Sequence, residues 1–281
     1  MKFNPGKIFP PGHFYSPIPD LNEIEKRKEK IFRKRTKEEV LGLNLNDEEQ
    51  LQHLKIISDS SKYWTFPEQK PSQDYKFFYL QNGLFGGLDA LAYFSFVLHY
   101  RPSMIIEVGC GFSSLIAMEV NKNFFSDKIN IILIEPYPSE ILIEAMTYYN
   151  NVKLIKEQVQ DVQIELFFQL KTNDILFVDS THVSKVGSDV NHIFFEVLPR
   201  LNPGVLIHFH DIFIPDEYPQ KWVFEENRGW NEMYILRAFL MFNNIFKILF
   251  SSYYVFTRHQ DLIIKTFGKA LSGGSIWIKR L

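Results

Sequence analysis

Residues Ile105 to Ser114 read IIEVGCGFSS. From Met104 to Val108 the chain is apolar apart from Glu107, the pattern of a strand buried in a parallel sheet. Gly109 and Gly111 break that strand, and Ser113 opens a helical run, SSLIAMEVNKNF. A strand, a glycine turn and a helix start together make a nucleotide site. The glycines let backbone pass close to a ligand, and the free N–H groups of the first helical turn face it. G-x-G turns occur in many folds, so the spacing downstream has to decide.

Downstream, strands are predicted at 104–109, 129–135, 152–156, 174–179 and 204–210. Helices are predicted between them at 113–125, 139–149, 161–170 and 187–200, the last ended or kinked by Pro199. This alternation predicts an α/β fold with a doubly wound, mainly parallel sheet. After a helix over 229–243 come apolar stretches at 245–256 and 275–279, with a turn at Gly273-Gly274. They predict a closing antiparallel pair, which is unusual for dinucleotide folds. Upstream, residues 1–20 carry five prolines and exclude a regular helix or central strand. They read either as a surface arm or as a strap that brings His13 and Tyr15 over a pocket. Leu21 to Val40 reads as a solvated charged helix, 45–75 as a short helix and a polar loop, and 87–100 as an apolar helix stopped by Arg101-Pro102.

A formal net charge of −2 and a pI near 6.5 give no reason to expect a nucleic-acid or membrane partner. No apolar run reaches the length of a membrane span, and the N-terminus lacks the apolar segment of a signal peptide. The single cysteine, Cys110, excludes an internal disulfide and suits a reducing compartment. The expectation is a soluble, cytoplasmic protein in which Cys110 fills space in the glycine turn. The 27 phenylalanines predict an aromatic-lined core or pocket.

The cofactor follows from four positions. Glu135 ends the second strand, where a carboxylate can accept from both ribose hydroxyls. Ser114 stands where a dinucleotide loop wants a third glycine. Glu107, inside the first strand, would repel a pyrophosphate but suits a ligand with ammonium and sulfonium charges. Asp161 can accept from an adenine amino group. S-adenosylmethionine satisfies all four, with Gly109, Gly111, Ser113 and Asp179 completing its site.

The pattern E-V-G-C-G, then I-E-P at the second strand end, then Q-D-V, resembles the class I S-adenosylmethionine-dependent methyltransferases over roughly 104–281. The resemblance implies a seven-stranded Rossmann-like sheet with an inserted antiparallel last strand, which SIWIK matches. GHFYSPIPD, VDSTHVSKVGSDVNHIFFEVLPRLNPGVLIHFHDIF and RGWNEMYILRAF resemble a bacterial group called methyltransferase-24-like. The chain then divides into a mainly helical extension and substrate cap, 1–100, and a cofactor-binding domain, 101–281.

In such a sheet the ligand sits at the carboxyl ends of the strands. Asp179 closes the fourth strand, and His208, His210 and Asp211 close the fifth. Asp179, His210 and Asp211 make a candidate site for Mg²⁺, or for a softer divalent metal if the histidine ligates. The catechol-type O-methyltransferases are similar in layout, with a lysine base three residues after the acid of the fourth strand. Here His182 holds that place and is the candidate base, with or without metal; Asp179 and His210 complete the catalytic set. His208 reads as a core histidine, and Asp179–His182 equally as an Asx-type turn. Residues 212–229, rich in proline and aromatics, are placed to form a lid, and Asn231 and Glu232 read as helix-opening residues. The expected reaction is methyl transfer to a hydroxyl of a sugar or small metabolite. An NAD-dependent oxidoreductase and a non-catalytic S-adenosylmethionine-binding protein are the alternatives.

Overall fold

In the computed structural model, which describes residues 9–73 and 75–281, seven strands form a single sheet. They are β1 (Met104–Val108), β2 (Asn130–Ile134), β3 (Val152–Ile155), β4 (Ile175–Val178), β5 (Leu206–His210), β6 (Phe246–Ser251) and β7 (Ser275–Arg280), hydrogen-bonded in the order β3-β2-β1-β4-β5-β7-β6. Four pairings are parallel, but β7 runs antiparallel to both β5 and β6. The sheet is therefore mixed, and the expectation of a mainly parallel one is corrected at that edge. Helices α1 (Leu21–Lys26), α2 (Lys28–Ile31), α3 (Asp47–Ser61), α4 (Gly87–Tyr100), α5 (Phe112–Phe125), α6 (Glu140–Met146), α7 (Asp189–His192), α8 (Gln220–Phe224), α9 (Glu232–Leu240), α10 (Ser252–Arg258) and α11 (Gln260–Phe267) surround it. Among the described residues, no helix is long and apolar enough to cross a membrane.

Side-chain alternation on the strands decides which groups meet. Glu107, Phe177, His208 and Trp277 lie in register across β1, β4, β5 and β7. They face α4, where Tyr93 packs 4.6 Å from Phe177 and Phe96 packs 5.0 Å from Trp277. Phe209 points the other way and stacks on Phe194 at 5.3 Å. His208 is wholly buried and stacked on Phe177 at 3.9 Å. Burial depresses its pKa well below the usual imidazole value, so it is a neutral core residue. Residues 87–100 thus belong to the same core as the sheet. Arg101, left-handed at φ 53°, ends α4 just before Pro102.

Helix α3 covers the outer edge of β6. Asn46 Nδ2 donates to the carbonyl of Ile248 at 3.0 Å, the Ser251 N–H donates to Gln50 Oε1 at 2.9 Å, and Lys247 pairs with Glu49 at 3.1 Å. These side chains take the place of an eighth strand.

Three predicted helices differ. The charged stretch 21–40 breaks into short pieces, because α1 and α2 bury no residue and nothing holds a longer helix to the body. Residues 161–170 form 3₁₀ turns at Val159–Asp161 and Ile164–Gln169; only Phe167 of the second is buried, too little for an apolar stripe. Over 187–200, α7 widens into a π-turn at Ile193–Val197 and then tightens to 3₁₀ at Leu198–Arg200, where Pro199 supplies no N–H. The apolar run 245–256 is divided by Ser251, whose hydroxyl caps α10.

Candidate active site

The glycine turn and the end of β4 are pressed together. Gly109 adopts φ +81°, and a Cβ there would lie 1.8 Å from the carbonyl oxygen of Asp179. Its N–H donates to Ile134 O at 3.0 Å, and the Asp179 N–H donates to Val108 O at 2.9 Å. Only glycine satisfies both the angle and the gap.

Glu107 lies beneath this turn, completely buried. Tyr93 donates to its Oε1 at 2.7 Å, Ser114 donates to its Oε2, and the Gly111 N–H donates to the Ser114 hydroxyl at 3.2 Å. Glu107 therefore shapes the turn from below and is not on a cavity wall, as the charge argument from sequence required. Burial pushes its pKa up to about 7, against the two hydrogen bonds that favour the carboxylate. An acid with a folded pKa above its unfolded value loses stability as pH rises between the two. Stability should fall from pH 4.5 to about 7, by roughly 3 kcal/mol from this residue. Glu107→Gln should flatten that part of a urea-midpoint-versus-pH curve; an unchanged slope would assign it to other groups.

Two cavities of about 400 Å³ and 670 Å³ share Gly109, Glu135, Asp179 and Ser180, and so form one trough past the glycine turn. Gly111 and Ser113 line the larger part, Tyr137, Gln158 and Gln160 the smaller. Glu135 accepts from the N–H groups of Cys110 at 3.2 Å and Tyr137 at 2.8 Å. Asp161 is exposed and off the wall, because its 3₁₀ turn presents Val159 and Gln160 to the trough instead. The Cys110 thiol is held well above its usual pKa, first by burial and then by Glu107 and Glu135, which leaves it no nucleophile.

At the far end of the trough Asp179, His182 and Asp211 converge. One donor atom from each lies within 4.8 Å of the others. His182 Nε2 is 3.3 Å from Asp179 Oδ1 and 3.5 Å from Asp211 Oδ2, while Nδ1 is 2.9 Å from Glu232 Oε2. His182 and Asp211 are both left-handed, at φ 59° and 55°, uncommon for residues with side chains. Burial lowers the His182 pKa, but Asp179 and Glu232 outweigh it and raise the imidazole to about 10. Both nitrogens face carboxylates, so His182 has no free nitrogen to serve as the predicted base.

His210 is placed differently from its predicted role as a ligand. Its Nε2 is 3.7 Å from Asp211 Oδ1, outside the three-residue cluster, and its Nδ1 is buried with no hydrogen-bond partner among the described residues. Burial lowers its pKa, and Asp179 and Asp211 more than compensate. His210 and Asp211 line both the trough and a third cavity, of about 680 Å³. Rings of Phe32, Phe213, Tyr218, Trp222, Tyr253 and Phe256 wall that cavity. Residues 212–229 supply much of the wall. Arg228 lies 4.0 Å and 4.4 Å from the Trp222 and Trp230 rings and pairs with Glu226 at 2.6 Å.

Of the arm, residues 1–8 lie outside the described residues. His13 and Tyr15 line none of the three cavities, and Tyr15 is 66% exposed. The residue that sequence reasoning missed is Glu232. Asn231 and Glu232 do begin α9, but Asn231 makes no side-chain cap. Their N–H groups both donate to His182 O, at 3.0 Å and 3.1 Å, and Asn231 Oδ1 accepts from Ser184 N–H at 2.6 Å. No motif spacing joins positions fifty residues apart.

Residues 106–212 match the family model described as a methyltransferase domain. An uncharacterised protein of Archaeoglobus fulgidus is 56% identical over 171 residues, which is 60% of this chain and 77% of the relative. Among solved structures, SAH-bound methyltransferase PaMTH1 of Podospora anserina is 16% identical, with a TM-score of 0.44 and coverage of 100% of this chain and 98% of that one. The SAH-bound O-methyltransferase from Bacillus cereus is 11% identical, with a TM-score of 0.42 and coverage of 92% and 97%. The family match covers the glycine turn, Glu135 and the ends of β4 and β5, the parts of the sheet that build the trough. Residues 106–212 place the chain among the S-adenosylmethionine-dependent methyltransferases, with a domain of the methyltransferase-24 family.

Proposed function

We propose that this methyltransferase acts in the cytoplasm on a hydroxyl of a sugar or other small metabolite, with help from a divalent metal. The observation that carries the reading is the position of the carboxylate–histidine cluster. Asp211 and His210 line both the cofactor trough and the aromatic cavity, and Asp179 lines the trough. An acceptor in the aromatic cavity meets the methyl donor at that cluster. Glu135 holds the ribose hydroxyls, and Gly109, Gly111 and Ser113 pass backbone close to the rest of the cofactor. S-adenosylmethionine supplies the electrophilic methyl group.

Two carboxylates and an imidazole suit a divalent ion, so Asp179, His182 and Asp211 would hold it. A bound metal lowers the pKa of an acceptor hydroxyl and fixes its oxygen. His210, which lines both cavities beside Asp211, takes up the hydroxyl proton. Phe32 and Leu80 of residues 1–100 help wall the third cavity, which is the sense in which that region caps the acceptor.

Calorimetric titration with S-adenosylmethionine and with NAD, each with Mg²⁺ and with EDTA, comes first. The methyl donor should bind and NAD should not, and Glu135→Ala should weaken binding at least about tenfold. Binding of NAD alone would replace this reading with the oxidoreductase one. A screen of hydroxyl-bearing and amine-bearing acceptors for SAH release should then give products only with hydroxyls, suppressed by EDTA. Turnover of amines alone would exclude O-methylation, and cofactor binding with no turnover by any acceptor would favour a non-catalytic role.

A further inference from the structure

We infer that the metal centre takes a nitrogen-binding transition ion, such as Mn²⁺, Fe²⁺, Co²⁺ or Zn²⁺, in preference to Mg²⁺, and that Glu232 is the positioning residue behind this choice. The inference rests on the metal-assisted reading above and specifies its ion.

The orientation of His182 is fixed from several sides. Its Nδ1 is held by Glu232 Oε2 at 2.9 Å, and its backbone carbonyl takes two N–H groups from the start of α9. Trp230 lies against the ring at 4.3 Å between centroids. Thr181, next to it, is tied to Asp189 through its N–H at 2.8 Å and its hydroxyl at 2.6 Å. A left-handed φ at a residue with a side chain persists only when its surroundings over-determine it, and these contacts do so. The result is a single presentation: Nδ1 toward Glu232, Nε2 toward the gap between Asp179 and Asp211.

That is the arrangement of a metal-ligating histidine backed by a carboxylate, in which the outer partner fixes the tautomer and makes the ligating nitrogen more basic. Magnesium favours oxygen donors and keeps its waters, whereas imidazole suits the later first-row ions. A site for Mg²⁺ would gain nothing from a buried glutamate spent on aiming an imidazole. Glu232 is 1% exposed, and its Oε1 is a buried atom with no hydrogen-bond partner among the described residues. Glu232 therefore depends on His182 alone for compensation, so its carboxylate is tied to the state of that ring.

The test uses the full chain, stripped with EDTA and dialysed, and titrated calorimetrically with CoCl₂ and MgCl₂, with the visible absorption of the Co²⁺ form recorded. Co²⁺ should bind at least about tenfold more tightly than Mg²⁺, and His182→Asn should change its visible spectrum. Glu232→Gln should weaken Co²⁺ by 10–100-fold, the usual effect of removing an outer-shell partner. A circular dichroism spectrum matching the parent at the titration temperature shows that both variants are folded there, even where their melting temperatures fall. Equal affinities for the two ions would overturn the preference, and an unchanged Co²⁺ affinity in Glu232→Gln would overturn the role of Glu232. If neither ion binds, the metal-assisted reading falls with this inference, while S-adenosylmethionine binding, titrated separately, still stands or fails independently.

Discussion

Gly109→Ala is expected to abolish cofactor binding and to cost the fold on the order of 4 kcal/mol or more, in the exceptional range for one substitution. Two penalties add. The φ of +81° is a region that alanine rarely adopts, and its Cβ would lie 1.8 Å from the Asp179 carbonyl oxygen. The obstacle is backbone, held by its own hydrogen bond to Val108, so it cannot rotate away as a side chain would. Relief requires β1 and β4 to part at the end where the trough begins. Urea denaturation with calorimetric titration of S-adenosylmethionine checks both halves. A loss below about 1 kcal/mol with binding intact would mean that the turn is far softer than this packing implies.

His182→Leu should be nearly as damaging in metal-free protein. It leaves Glu232, only 1% exposed, with a buried carboxylate and no partner. Breaking a buried pair from one side costs about 3–5 kcal/mol, and His182→Leu/Glu232→Leu should recover part of it. The double-mutant cycle should give a coupling of about 1 kcal/mol or more; additive effects would show that the pair is not acting as one. The pH dependence has a definite sign. Burial lowers the His182 pKa, the carboxylates raise it more, and the folded value is about 10 against 6.5 when unfolded. Its stabilisation is complete below 6.5 and is lost as pH rises toward 10, the reverse of a salt-bridged aspartate. In His182→Leu this alkaline decline should disappear from the denaturation curves, while the decline attributed to Glu107 at lower pH should remain.

The trough was legible in the sequence because its parts are local. Strand, glycine turn and helix start are contiguous in IIEVGCGFSS, and Glu135 directly follows β2. Short apolar runs located the strands, and Gly273-Gly274 marked the turn into β7. What could not be read depends on where loops point. Nothing in D-S-T-H shows that His182 turns left-handed and aims both nitrogens at carboxylates. Likewise H-F-H-D does not show that His210 stops short of the cluster at Asp211. Asp161 was an attractive acceptor by position, but a 3₁₀ turn rotates side chains differently from the helix assumed there and leaves Gln160 on the wall. Glu232 looked like a capping residue because acidic side chains favour helix starts; its use against His182 arises only from tertiary packing.

The covering of β6 by α3 bears on aggregation. A sheet ending in an uncovered apolar strand offers its free N–H and C=O groups to any other chain, and four of the six residues of FKILFS are strongly apolar. Asn46 and Gln50 occupy those groups with side chains, which cannot propagate a ladder to a further strand. The N-terminal region thereby guards against edge-to-edge association as well as helping to wall the aromatic cavity. A fragment trimmed to residues 101–281 would keep all seven strands and lose that protection, so resistance of this sheet to edge pairing depends on residues that carry none of its strands.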